Sequence, residues 1–188
     1  MNSATSPLGG DDLRLTVRVG PGASLRLSGV AATLALPGLH GESSLSTVDV
    51  VVEDGGSLEY LPEPTVITAR ARHRAVFRAA LASDAYLHTR EVLVLGRAGE
   101  SPGSLVTTLD VVRDGAPVLR QTLPVGDAGL DGSLAVLAGR RVLVTDLEVG
   151  GPELPAASGE WWSRSPLAAG GTLTTSLAPD AVTALRPF

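Results

Sequence analysis

Apolar and polar residues alternate with a period of two over much of this chain. Leu13, Leu15, Val17 and Val19 alternate with Arg14, Thr16 and Arg18, as in a strand with one face buried. Gly20-Pro21-Gly22-Ala23 breaks the pattern, and Leu25 and Leu27 resume it across Arg26. A second segment repeats the form: Val48, Val50 and Val52 alternate with Asp49 and Glu53, Asp54-Gly55-Gly56 turns the chain, and Leu58-Glu59-Tyr60-Leu61 leads away. A third, looser segment sets Ala75, Phe77, Ala79 and Leu81 against Arg74 and Arg78. It turns at Ser83-Asp84, after which Tyr86, His88 and Arg90 oppose Leu87 and Thr89.

One unit, strand, small turn, strand, therefore recurs, with turns at Gly22-Ala23, Gly56-Ser57 and Asp84-Ala85. The spacings are 33 to 34 residues and then 28. A self-similar period in this range marks stacked repeats, since one unit cannot bury its own apolar face. The fold class predicted is mostly β: stacked short strands in a β-helix-like or two-sheet arrangement, with a small helical part. Three unrelated hairpins in an ordinary β-sandwich are the alternative.

Further strands are predicted at Glu91–Leu95, Leu105–Val112, Pro117–Leu123, Leu134–Leu137, Arg141–Val149 and Leu173–Leu177, with a hairpin turn at Asp114-Gly115. Asp180 caps a short terminal helix through Leu185. The composition shifts to Gly, Pro and Ala from Gly150 to Gly159, which reads as a flexible loop. The expected organisation is one β domain over 1–149, with 150–188 packing on it or extending it. The edges of such a stack invite pairing with other chains, unless Pro62, Pro64 and Pro117 close them.

Composition narrows the chemistry. All 15 basic residues are arginine and the net charge is −5, with no cysteine and only two residues each of Phe, Tyr and Trp. Disulfides, zinc ribbons, thiol nucleophiles, a Walker-A lysine and Schiff-base chemistry are excluded. An acidic, aromatic-poor chain lacks the footprint of a nucleic-acid binder. No apolar run reaches the length of a membrane span, and the first twelve residues do not form a signal peptide. A cytoplasmic location is expected.

Enzyme motifs are missing. His40, His73 and His88 are not paired at ligand spacing, and each alone reads as a solvated or packed histidine. With Glu59, Glu63, Glu91 and Glu100 they make at most a loose, open oxygen and nitrogen site, suited to a divalent cation in transit. Arg70, Arg72, Arg74 and Arg78 share one strand face, either docking an acidic partner or simply solvated. Trp161-Trp162 places one ring in the core and one at the rim. In Leu58–Thr65 the prolines Pro62 and Pro64 fix an extended, unpaired segment that holds Glu63 outward. This segment is either a shaped contact surface or a sheet-to-sheet crossing. A β-helix hydrolase would need paired carboxylates on an inner face, and Pro62 and Pro64 disfavour that for Glu59 and Glu63.

Several blocks together resemble a known family. These are Gly9-Gly10-Asp11-Asp12-Leu13, Gly20-Pro21-Gly22-Ala23, Ala31-Ala32-Thr33, the run from Gly56 through Leu58-Glu59-Tyr60-Leu61-Pro62-Glu63-Pro64-Thr65, and Arg90 to Glu100 with Leu95-Gly96-Arg97-Ala98-Gly99-Glu100. Their order and spacing over residues 9–149 resemble the urease accessory protein UreD (UreH) family. The resemblance implies a helix-like stack of strands that is not an enzyme. It implies a scaffold that binds apo-urease, UreF and, through UreF, the GTPase UreG. No cofactor is held tightly, and Ni2+ passes in transit to the urease active site, through an internal passage. Glu59, Glu63, Glu91, Glu100 and His88 become candidates for its path or rim. Leu61, Pro62, Pro64, Arg97, Trp161 and Trp162 become candidates for partner contact.

Three departures stand out. Only eight residues precede the Gly-Gly-Asp segment, as in a short form or a late start. Leu34-Ala35-Leu36-Pro37 replaces the lysine and aromatic that follow Ala-Ala-Thr in the family, and residues from Gly150 onward match poorly. A missing first layer would leave apolar surface bare, so insolubility alone or a firm need for UreF is expected. The other reading is a free-standing β-stack module that binds a small ligand.

Overall fold

A computed structural model describes residues 7–184. Three coils open the chain. The first holds β1 (Asp12–Val19), β2 (Ser24–Ser28) and β3 (Thr33–Ala35). The second holds β4 (Ser44–Val52), β5 (Ser57–Leu61) and β6 (Thr65–Ile67). The third holds β7 (Arg72–Leu81) and β8 (Tyr86–Leu95), which is long enough to pair with both β5 and β6. The hairpin β9 (Ser104–Arg113) and β10 (Ala116–Val125) follows, then the turn of helix α1 (Ala128–Asp131). The chain ends with β11 (Val142–Val149), β12 (Ala157–Ser158), β13 (Trp162–Pro166), β14 (Thr172–Ala178) and α2 (Ala181–Ala184).

The coils stack in parallel register. One sheet runs β1-β4-β7-β9-β10, and the other runs β12-β13-β14-β11-β8-β5-β2, with β3 and β6 continuing the pairing beside β8. Inward residues align in rows: Val17, Val50, Ala79 and Val111 in one sheet, Leu25, Leu58 and Leu87 in the other. These rows face each other across a core of Val, Leu and Ala. The stacked reading is therefore the one the chain adopts, and strand at 55% against 4% helix sets the all-β class.

The turns stack as well. The backbone N–H of Ser57 donates to Ala23 O at 2.8 Å, and that of Tyr86 to Gly56 O at 2.9 Å. The N–H of Gly55 donates to a carboxylate oxygen of Asp84 at 2.8 Å. Small residues are required here, because a Cβ on Gly56 would sit 2.8 Å from Glu53 O and 2.9 Å from Val52 Cγ1. Asp114 and Gly115 take φ of 49° and 74°, the left-handed pair that a tight hairpin turn needs.

Some expectations need correction. Leu134–Leu137 is not a strand but a series of turns: Ser133 O accepts from Val136 and Ala138, and its hydroxyl accepts from Ala135 N at 3.2 Å. Local side-chain bonding has outcompeted a sheet ladder there. The Leu58–Thr65 segment is paired at both ends, in β5 and β6, and only residues 62–64 are unpaired. Arg70 lies at φ 62° in a turn and leaves the strand face of its neighbours.

Pro117 does sit on an edge strand, β10, beside a register shift, whereas Pro62 and Pro64 lie in a connection. Asp180 caps α2 by accepting from Thr183 N at 2.8 Å; Leu185 lies outside the described residues. At the opposite end β1 is, among the described residues, an uncovered edge, with the inward Leu15 42% exposed.

Candidate functional site

A cavity of about 190 Å³ opens between the two sheets. Parity along the strands decides what enters it. In β8, Leu87 and Thr89 point inward, so Glu91 does too. In β7, His73, Ala75 and Phe77 point inward beneath it. Pro62 and Glu63 in the β5–β6 connection complete the wall, with Glu63 exposed at the mouth.

Glu91 accepts a hydrogen bond from the Thr107 hydroxyl of β9 at 2.8 Å, tying one sheet to the other through a polar contact. Desolvation pushes the Glu91 carboxyl up to about 7, against the lowering effect of that hydrogen bond. The tyrosine of the cavity wall, Tyr60, is raised by burial and by the Glu91 charge, and stacks on Phe77 with centroids 5.7 Å apart. His73 is buried, lies 2.8 Å from the Ser44 hydroxyl, and is lowered by desolvation. Near neutral pH the cavity thus offers a neutral imidazole and a carboxyl that exchanges its proton easily.

A second polar group lies on the outer face of the nine-stranded sheet. Asp146 of β11 faces Arg90 and lies beside His88, accepting from Arg90 Nε at 2.6 Å and approaching His88 Nε2 at 3.1 Å. Burial raises Asp146, but the hydrogen bonds from His88 and Arg90 outweigh it and hold the carboxyl low. The same hydrogen bond raises His88. Glu148 accepts from Tyr86 OH at 3.2 Å, and burial with the Glu148 charge pushes that phenol up to about 12. Glu59 is cross-strand from His88 and pairs with Arg26 at 3.1 Å.

The five carboxylate and histidine candidates therefore separate. Glu63 and Glu91 share the cavity, while Glu59 and His88 share the outer face. Glu100 is held in the β8–β9 loop by Arg97, with Nη2 at 2.9 Å and Nε at 3.0 Å; that hydrogen bond holds its carboxyl down to about 2. Among the described residues, no three His, Asp or Glu side chains gather as a metal-holding group. Of the partner candidates, Leu61 ends β5, Pro62 walls the cavity, and Pro64 O accepts from Thr33 N at 2.9 Å. Trp161 lies under Arg140 at 3.8 Å, and Trp162 packs over Gly159; both rings are half-buried.

Sequence reasoning passed over Thr107 and Asp146 as site residues, and it named His73 only within a loose group with the other histidines and the glutamates. His73 carried a readable signal, an inward place in register with Ser44. The approach of Asp146 to His88 spans 58 positions and leaves no local trace.

The fold and the cavity define a β-solenoid protein with a small, mostly apolar chamber between its sheets that holds His73, Glu63 and Glu91. The profile described as UreD urease accessory protein matches residues 1–186, so the chain belongs to the UreD family. The match runs through the region beyond Gly150 that the motif blocks left out. The urease accessory protein UreD 1 of Saccharopolyspora erythraea is 54% identical over 99% of this chain and 73% of its own length. The urease accessory protein UreD of Frankia alni is 42% identical over 99% and 70%, and that of Streptomyces coelicolor 39% identical over 97% and 74%.

Proposed function

We propose that this chain is a cytoplasmic scaffold for urease maturation, holding apo-urease together with UreF and, through UreF, the GTPase UreG. Ni2+ is the cargo and crosses the chamber between the sheets. Membership of the UreD family along the whole chain carries the reading, and the chamber chemistry agrees with it. An ion that must leave as readily as it enters is served by few, unclosed ligands. Glu63 at the mouth and Glu91 within supply carboxylates, and His73 supplies a neutral nitrogen. Entry of a cation at Glu91 displaces a proton that is held only weakly near neutral pH, so loading and release are linked to proton exchange. No helix among the described residues is long and apolar enough to cross a membrane.

The test is the nickel content of urease purified from a host lacking this gene and complemented with variants. Urease protein made but nickel-poor in the deletion, restored by the wild-type chain, is the expected result. The Glu63→Ala/Glu91→Ala chain should load urease several-fold more slowly while remaining folded. Full nickel content in the deletion host would contradict the scaffold role. Unchanged loading by the double variant would remove the chamber from it.

A further inference from the structure

The outer face of the five-stranded sheet carries a charge pattern that a chain of net charge −5 does not lead one to expect. Arg14 and Arg18 of β1, Arg72, Arg74 and Arg78 of β7, and Arg120 of β10 all point outward there. The carboxylates on the same face are Asp49 and Asp110, with Asp12 and Glu53 at its margins.

The register sorts these charges into rows across the strands. One row is Thr16, Asp49, Arg78, Asp110 and Arg120, neutralised within itself by Arg78–Asp49 at 3.4 Å and Arg120–Asp110 at 3.1 Å. Arg18 pairs with Glu53. A second row is Arg14, Thr47, Val76, Thr108 and Thr122, and a third is Asp12, Leu45, Arg74, Val106 and Pro124. Arg14, Arg72 and Arg74 have no ion-pair partner among the described residues. The row beyond Arg78 is Arg18, Val51, Ala80, Val112 and Pro117, apolar apart from the paired Arg18, with Val51 37% exposed.

We propose that this face is a protein-docking surface, and that its partner presents carboxylates opposite Arg14 and Arg74 and small apolar side chains opposite Val76 and Val51. Arginine is enriched in protein interfaces relative to the rest of the surface. The uncompensated guanidiniums select an acidic partner and speed its approach. The face has neither the lysines nor the aromatic platforms that a nucleic-acid strand uses. The inference holds whichever proteins the chain serves.

The test immobilises the full chain, as wild type and as Arg14→Glu/Arg74→Glu, and passes host extract over both. Arg164→Ala, on the other sheet, is the control, and Arg14→Ala/Arg74→Ala is the milder variant should the reversals disturb folding. A protein retained by wild type and control, and bound at least about tenfold more weakly by the reversed face, is expected. Its affinity should fall with added salt. Reversal of the partner's own carboxylates to arginine should restore binding to the reversed chain. The proposal is overturned if no protein depends on Arg14 and Arg74, or if charge swaps in the partner fail to compensate. It is equally overturned if only a short DNA duplex or phosphatidylglycerol vesicles distinguish the two chains.

Discussion

Glu91 is the residue on which the chemistry of the chamber turns. Its folded carboxyl titrates near 7 against an ordinary value of 4.5. Between those values the folded chain binds more protons than the unfolded one. The contribution of this group to stability is therefore full below the ordinary value, and it is lost as pH rises through the folded one. Glu91→Gln keeps an acceptor for the Thr107 hydroxyl and removes the buried charge. It should raise unfolding free energy by up to roughly 3 kcal/mol at about pH 8 and change it little at about pH 4; urea titrations at the two pH values check this. An equal effect at both would mean the carboxylate is solvated in the chamber. The sequence named this residue as a candidate but did not show which way it faces, for a simple reason. Glu91 continues the inward parity of Leu87 and Thr89, but the unbroken run Val92-Leu93-Val94-Leu95 hides the alternation, because β8 is covered on both faces there. Pro62 and Pro64 already spoke in the sequence against Glu59 and Glu63 as a pair on one strand face. The break at Pro62 sends Glu63 to the chamber while Glu59 stays outside with Arg26.

At the scale of elements, the coils that alternate cleanly were readable, and so was the stacking of their turns. β1, β2, β4, β5 and β7 have one wall in the core and one in water, so the period of two survives in the residues themselves. β3, β6 and β12 span only two or three residues, too few to show a period, and they are fixed by pairing with longer neighbours. The turn stack rests on close backbone approach at Gly56. Gly56→Val should lower stability by about 2 kcal/mol, read as a fall in the urea midpoint with an unchanged slope. No loss would mean that the turn backbone yields without cost, and that the stacked hydrogen bonds do not define the repeat. The two ends of the five-stranded sheet differ. β10 carries Pro117 and Pro124 on its edge, while among the described residues no strand pairs with the outer side of β1 and Leu15 is 42% exposed.

For the whole molecule, two sheets stacked coil upon coil give broad faces and a narrow chamber. The outer faces carry arginine on one side and paired His88, Arg90 and Asp146 on the other. Such a body offers broad surfaces to other proteins, in keeping with membership of the UreD family and with the scaffold role proposed above. The central claim, proposed above, is that the chain holds apo-urease together with UreF while nickel is delivered, which implies release once the metal is in place. Native mass spectrometry of the full chain mixed with purified apo-urease, with UreF present, measures this most directly. The account expects a complex of defined composition with apo-urease that dissociates once urease is nickel-loaded. A chain that stays unbound in the presence of both proteins, or that binds loaded and empty urease equally, would contradict it.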